Sequence, residues 1–145
     1  MIKIEYHSYQ PKIKKEKEKE FIFDEVRRQW VALTPEEWVR QNFLHHLIYV
    51  KKYPASLIAV EKEIRLNDLK KRTDILIYNR NSEPWMIVEC KEMNVKPDEK
   101  TLQQLLRYHL GVSVSYLVIT TGTYCFGFEK KENDFIETNR LPDYE

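Results

Sequence analysis

Glu89 and Lys91 stand two apart at the end of an apolar run, Ile87-Val88-Glu89-Cys90-Lys91, and Asp74 sits in a second run, Thr73-Asp74-Ile75-Leu76. On a β-strand, side chains two apart share a face, so Glu89 and Lys91 point one way and Val88 and Cys90 the other. Asp74 shares a face with Leu76 and Tyr78. If the two runs pair across the polar turn at 79–84, Asp74 falls near the Glu89 end of its neighbour. Two carboxylates and an ammonium then converge at one edge of a sheet. A hard cation such as Mg²⁺ takes oxygen ligands and keeps several waters, so two carboxylates suffice to anchor it. A nearby ammonium can orient an attacking water and offset charge building on a phosphate. Taken alone, however, the E-x-K spacing favours a plainer account, a cross-strand ion pair on a solvated face that adds little to stability.

The elements that must position these residues are legible around them. Thr34-Pro35-Glu36-Glu37 opens a helix: Thr34 is a good N-cap, Pro35 suits the first helical position, and Glu37 falls where it completes a capping box. At about 100° per residue, Val39, Phe43, Leu44, Leu47 and Val50 gather on one side. That phase puts Glu36 in the middle of the apolar stripe with Arg40 one turn on, and a carboxylate there needs a partner. Three strand-like segments follow at 57–66, 73–78 and 85–91. The short polar turns at 67–71 and 79–84 predict an antiparallel meander. Pro97 and Asp98 open a second helix reaching about Leu110, with Gly111 as its stop and Leu102, Leu105 and Leu106 as its buried stripe. Tyr116 to Thr120, YLVIT, reads as a strand covered on both faces and reached by a helical crossover. Gly122 ends it, and the stretch 124–128 returns as another strand.

Composition narrows the classes. At 145 residues and 42% apolar, the chain suits one domain with a real core. Lys and Arg total 24 against 23 acids, so a nucleic-acid partner would need a local basic surface. No stretch approaches a membrane-spanning length, and the N-terminus lacks a signal-peptide layout, which makes the cytoplasm the default. The three glycines, Gly111, Gly122 and Gly127, exclude a phosphate-cradling loop. Cys90 and Cys125 read as buried thiols. Residues 1–32 are expected to form a charged leader, solvated and partly helical over 12–20, and 131–145 a tail without a readable signal. His45, His46, Trp38 and Trp85 read as surface or packing groups. Glu61 could approach the site across the sheet, although an exposed strand face explains it as well. Lys70, Lys71 and Arg72 suit either a phosphate backbone or a solvated turn.

The order Glu36 … Thr73-Asp74 … Glu89-Cys90-Lys91 … Gln104-x-x-x-Tyr108 … Thr120-Thr121-Gly122 resembles the PD-(D/E)XK nuclease superfamily. More narrowly, it resembles the N-terminal nuclease domain of type I restriction enzyme R subunits. The resemblance spans roughly residues 33–122, within an expected domain at 33–130. It implies a restriction-endonuclease-like αβββαβ core, an α/β fold with a central mixed sheet flanked by helices. It also implies a Mg²⁺-dependent deoxyribonuclease, with Mn²⁺ as a substitute and DNA as partner. By resemblance, Asp74, Glu89 and the Cys90 carbonyl are metal ligands, Lys91 positions the water, and Glu36 is the acidic residue of the first helix. Gln104 and Tyr108 flank the site. Thr73 stands where the superfamily's name has proline, and Thr121 where the narrower family often has asparagine. A helicase region is missing from the sequence, so a free-standing domain, serving a separate motor or modification subunit, is expected. A silent nucleic-acid-binding or protein-interaction module on the same scaffold is the alternative.

Overall fold

The alternating segments of the middle of the chain pair as their short turns require. The computed structural model describes residues 1–6, 9–66, 69–93 and 95–144. Strands β1 (Ile13–Glu16), β2 (Lys19–Asp24) and β3 (Gln29–Ala32) precede helix α1 (Pro35–His45), which runs on as a π-helical turn, His46–Val50. Strands β4 (Ile58–Leu66), β5 (Leu69–Tyr78) and β6 (Pro84–Cys90) follow, then helix α2 (Glu99–His109) and strands β7 (Tyr116–Thr120), β8 (Cys125–Lys131) and β9 (Asp134–Thr138). From α1 onward the order is helix, three strands, helix, strand, with a return hairpin added. The six later strands form one sheet in the order β4-β5-β6-β7-β8-β9. Only β6 and β7 are parallel among these neighbours, because α2 carries the chain across before β7 begins. The sheet is therefore mixed.

The two helices lie on opposite faces. Val39, Phe43, Leu44 and Leu47 pack with Ile75, Ile77, Met86, Val88 and Cys90. The alternate residues serve the other side, where Leu102 packs with Ile119, Phe126 and Phe128, while Leu76, Ile87 and Leu117 meet Val112 and Val114. Burying one such side chain fully contributes about 1.5–3 kcal/mol, so alternation at the sheet centre fixes strand phase strongly. No helix among the described residues is long and apolar enough to cross a membrane.

Four expectations are corrected. Residues 13–32 are not a solvated, partly helical leader but a three-stranded antiparallel sheet, β1-β2-β3, with Ile22 and Asp24 fully buried. Residues 131–145 are not a featureless tail: β9 pairs with β8, and Leu141 enters the core. The turn expected at 67–71 is shorter, since β5 already begins at Leu69; Asn67 and Asp68 lie outside the described residues. Val50 leaves the helix stripe and is exposed, because the π-helical turn advances each residue by less than 100°.

After β7, the chain turns at Gly122, where φ is +90° and the amide N–H donates to Thr120 Oγ1 at 3.1 Å. An added Cβ would meet only ordinary contacts there, Val39 Cγ2 at 3.8 Å being the nearest, so conformation rather than space demands glycine. Gly122→Ala should cost about 1–2 kcal/mol, read as a lower melting temperature with an unchanged circular-dichroism spectrum.

Candidate functional site

The site is built where β5 and β6 run side by side. Ile75 pairs with Val88, so Asp74 falls beside Glu89, as alternation and turn length predicted. Asp74 Oδ2 accepts a hydrogen bond from the Cys90 backbone N–H at 2.7 Å. Its carboxyl also lies within hydrogen-bonding reach of the Glu89 side chain. Burial, reinforced by the Glu89 carboxylate, pushes the Asp74 carboxyl up to about 6, against the pull of the Cys90 amide. Two acids this close cannot both ionise at low cost without a cation. Oxygen donors in this arrangement fit a hard divalent ion. Among the described residues no group of three His, Cys, Asp or Glu side chains could hold a metal, so the remaining ligands would be backbone, water or phosphate oxygens. The Cys90 thiol is not one of them: it is buried in the core, and burial pushes its pKa well up.

Lys91 is half-buried and follows β6 directly. Its N–H donates to the Thr120 carbonyl at 2.9 Å, prolonging the β6–β7 ladder by one residue.

The first helix needs a correction of phase. Glu36 is exposed at the rim of the cleft, and Glu37 is the buried acid. Thr34 caps the helix by accepting from the Glu37 N–H at 3.1 Å. The Glu37 carboxylate turns inward instead, accepting from Arg40 Nε at 2.9 Å, Arg40 Nη2 at 2.6 Å, Arg27 Nη2 at 2.9 Å and Gln41 Nε2 at 3.0 Å. Burial opposes its ionisation, but the hydrogen bonds from Arg40, Gln41 and Arg27 win and hold its pKa down to about 2. Arg40 also reaches Glu61 Oε1 at 3.2 Å, and Arg72 donates to Glu61 Oε2 at 2.9 Å. Glu61 adopts φ +55°, an uncommon conformation for a side-chain-bearing residue, at the point of β4 facing Asp74 in register. Glu37, Arg27, Arg40 and Glu61 line a cleft of about 360 Å³ together with Asp74, Cys90 and Glu36, and Glu89 lies outside its lining. Two larger hollows, about 590 and 710 Å³, have neither Asp74 nor Glu89 in their walls.

The basic residues before Asp74 have separate fates. Lys70 is exposed and Arg72 is engaged by Glu61. Lys71 is buried, donates to the Tyr108 carbonyl at the end of α2, and lies 4.4 Å from the Tyr108 ring centroid. It neutralises the negative end of that helix. Gln104 and Tyr108 are both exposed on α2.

Two functional candidates escaped the sequence reading. Arg27 comes from the turn after β2, in the supposed leader, and nothing local in the sequence marks it. His109 is fully buried on α2, with Nε2 3.0 Å from Glu89 Oε1. The contact has ion-pair distance without hydrogen-bond alignment, and Nδ1 has no hydrogen-bond partner among the described residues. A signal for His109 existed: it follows Leu102 by seven residues, two helical turns along the buried stripe.

A family model described as type I restriction enzyme R protein N terminus matches residues 35–142. No curated protein matches the chain.

Glu37 and Glu36 make an internal contrast. Glu37→Ala strands a buried guanidinium and should cost about 3–5 kcal/mol, whereas Glu36→Ala should stay within about 0.5 kcal/mol, both by urea denaturation. Glu37 binds its proton more weakly folded than unfolded. Its contribution is therefore complete above its ordinary value of 4.5 and drains away as pH falls toward about 2. Stability measured across that window should fall less steeply in Glu37→Ala than in the parent.

Proposed function

The chain belongs to the type I restriction enzyme R protein N-terminal family, and from that premise we propose that it is a metal-dependent nuclease hydrolysing DNA phosphodiester bonds. The observation that carries the reading is the pair of acids, Asp74 in the middle of β5 and Glu89 near the end of β6, brought side by side with Lys91 two residues after Glu89. The element order from α1 to β7 agrees with a restriction-endonuclease-like core. DNA is the substrate class, and a separate motor or modification subunit is the companion that the family suggests.

In this reading Asp74 and Glu89 hold the cation, with the Cys90 carbonyl beside them. Mg²⁺, or Mn²⁺ in its place, supplies Lewis acidity toward the phosphate when bound. The Lys91 ammonium orients the attacking water and offsets charge on the phosphate oxygens. The Cys90 amide fixes one oxygen of Asp74, and His109 lies against Glu89 at ion-pair distance, where outer partners of ligating carboxylates sit. Glu37 takes no part in ligation, since Arg27, Arg40 and Gln41 already occupy its oxygens. Glu36, at the open rim, is left as a contributor to water or substrate positioning. Gln104, Tyr108 and Lys70 offer exposed contacts for the DNA around the site.

A catalytically silent binding module on the same scaffold is the second reading, and the lack of a third His, Cys, Asp or Glu ligand among the described residues favours it. Purified protein incubated with single-stranded, duplex and branched DNA, in Mg²⁺, Mn²⁺ or EDTA, separates the two. Lys91→Ala should abolish cleavage while keeping metal-dependent stabilisation, because lysine is not a ligand. Asp74→Asn and Glu89→Ala should lose both. Equal cleavage by parent and Lys91→Ala after matched purification would assign the activity to a contaminant.

The acids also set a pH dependence for the metal. Asp74 binds its proton more tightly folded than unfolded, so the metal-free protein loses stability as pH rises from 3.8 to about 6. Millimolar Mg²⁺ should raise the melting temperature more at pH 7.5 than at pH 5, where a proton competes for the site. His109→Ala should weaken that stabilisation roughly tenfold in metal concentration, and His109→Gln, which retains an N–H donor, should recover part of it. Identical metal titrations for parent and His109→Ala would remove His109 from the site.

A further inference from the structure

The small N-terminal sheet has one face that neither the core nor the catalytic proposal uses. Register sorts its residues. Lys14 opposes Phe21, Phe21 opposes Ala32, Phe23 opposes Trp30 and Glu16 opposes Lys19, and directly opposed residues share a face. Ile22, Val31 and Asp24 take the other side, where Asp24 is locked to Arg27 and Gln41. The outward face therefore gathers Phe21, Phe23 and Trp30 with three lysines and one glutamate.

Its groups are already arranged as cation and ring. Lys14 Nζ lies 4.6 Å from the Trp30 ring centroid and 5.9 Å from that of Phe21. Lys12 Nζ lies 5.7 Å from Phe23, and Phe23 meets Trp30 edge to face at 5.4 Å. Trp30 is 38% exposed, so its ring is open to a ligand. Lys14 also pairs with Glu16 Oε1 at 3.1 Å on the same face, with 35% of its side chain exposed. An incoming flat ring can displace an ammonium from the tryptophan face while that ammonium moves to an anionic oxygen, so one exchange satisfies both groups. A ligand that presents a flat ring and an anion at every repeat is a nucleic-acid strand, and unpaired bases are the ones free to stack. The net basic charge of this face gives the local attraction that the nearly neutral whole chain lacks.

Position supports the same partner. Ala32, on this face, lies at the rim of the cleft that contains Asp74, which Val31 of the opposite face lines as well. Trp30 precedes it by two strand residues, about 7 Å, which is about two nucleotides at roughly 3.4 Å each. A strand stacked on Trp30 would reach the rim of the cleft at Ala32. We propose that the outward face of β1–β3 is a stacking platform for single-stranded nucleic acid, delivering the strand to the cleft beneath. This takes its direction of delivery from the nuclease reading, yet lies outside the family-matched residues 35–142.

Binding measured in EDTA tests the platform without any turnover, so its failure and that of the nuclease reading are distinguishable. The probe is a fluorescein-labelled 20-nucleotide single strand of mixed sequence, followed by anisotropy with the full chain, against the same sequence as a duplex. Trp30→Ala should weaken single-strand binding roughly tenfold or more, and Trp30→Phe should restore most of it. Lys14→Ala should reduce the slope of log affinity against log salt by about 0.7. Melting curves should match the parent's for all three variants, because Trp30 and Lys14 lie outside the core clusters. The proposal is overturned if Trp30→Ala binds the single strand as the parent does, or if the duplex binds more tightly with no dependence on Trp30. It is equally overturned if Trp30→Ala changes only the oligomeric state, which would make this face a contact between copies of the chain.

Discussion

Everything around the cleft depends on one run of alternating charges, Asp24, Arg27, Glu37, Arg40 and Glu61, buried at its centre and exposed at Glu61. Each member comes from a different place, β2, the turn after it, the first and second turns of α1, and β4. Asp24 is fully buried, and Glu37 and Arg40 nearly so. Charges taken out of water at this depth are tolerable only when geometry and hydrogen bonding are complete. Here they are: Asp24 also accepts from the backbone of Val26 and Arg27, and Gln41 bridges Asp24 to Glu37. The network ties the small sheet to α1 and α1 to the large sheet, and so sets the width of the cleft.

The large-scale architecture was readable because apolar periodicity carried it. YLVIT and Trp85 to Val88 are apolar nearly throughout, and the turn lengths between strands left little choice of pairing. What stayed hidden was hidden by charge. In KIKKEKEKEFIFD the alternation of lysine and glutamate masks a strand pair whose apolar signal is only Ile13, Phe21, Ile22 and Phe23. The true partner of the first helix's acid was therefore assigned to a solvated segment. Without Arg27, local sequence offers Glu37 a capping task only, and helical phase points Glu36 inward. Side-chain hydrogen bonds across distant segments have no period in sequence. Three donors converging on Glu37 were enough to outweigh the reciprocal half of a capping box. Val50 differs for another reason: the ideal 100° period does not continue through a π-helical turn.

The candidate site shows the same division. Asp74 and Glu89 were brought together by strand register alone, which sequence specifies well. Their environment came from elements far away in the chain: His109 from the end of α2, Arg40 from α1, and Lys71 turned away to the carbonyl of Tyr108. A lysine beside a candidate ligand is therefore not automatically a phosphate contact. Lys71 closes a helix terminus, and Lys130 does the same through the carbonyls of Leu110 and Val112.

β6 lies inside the sheet, with β5 on one side and β7 on the other. Its amide protons are consequently shared with two neighbours, and those neighbours carry the deepest side chains of both core faces. Local fraying, which opens edges and loops at small free-energy cost, has no route to this strand. Deuterium would enter the backbone from Ile87 to Cys90 chiefly when the whole domain opens. The spacing of the two acids is thereby tied to global folding: a molecule that is folded at all has them in place, and slow breathing of the protein cannot pull them apart.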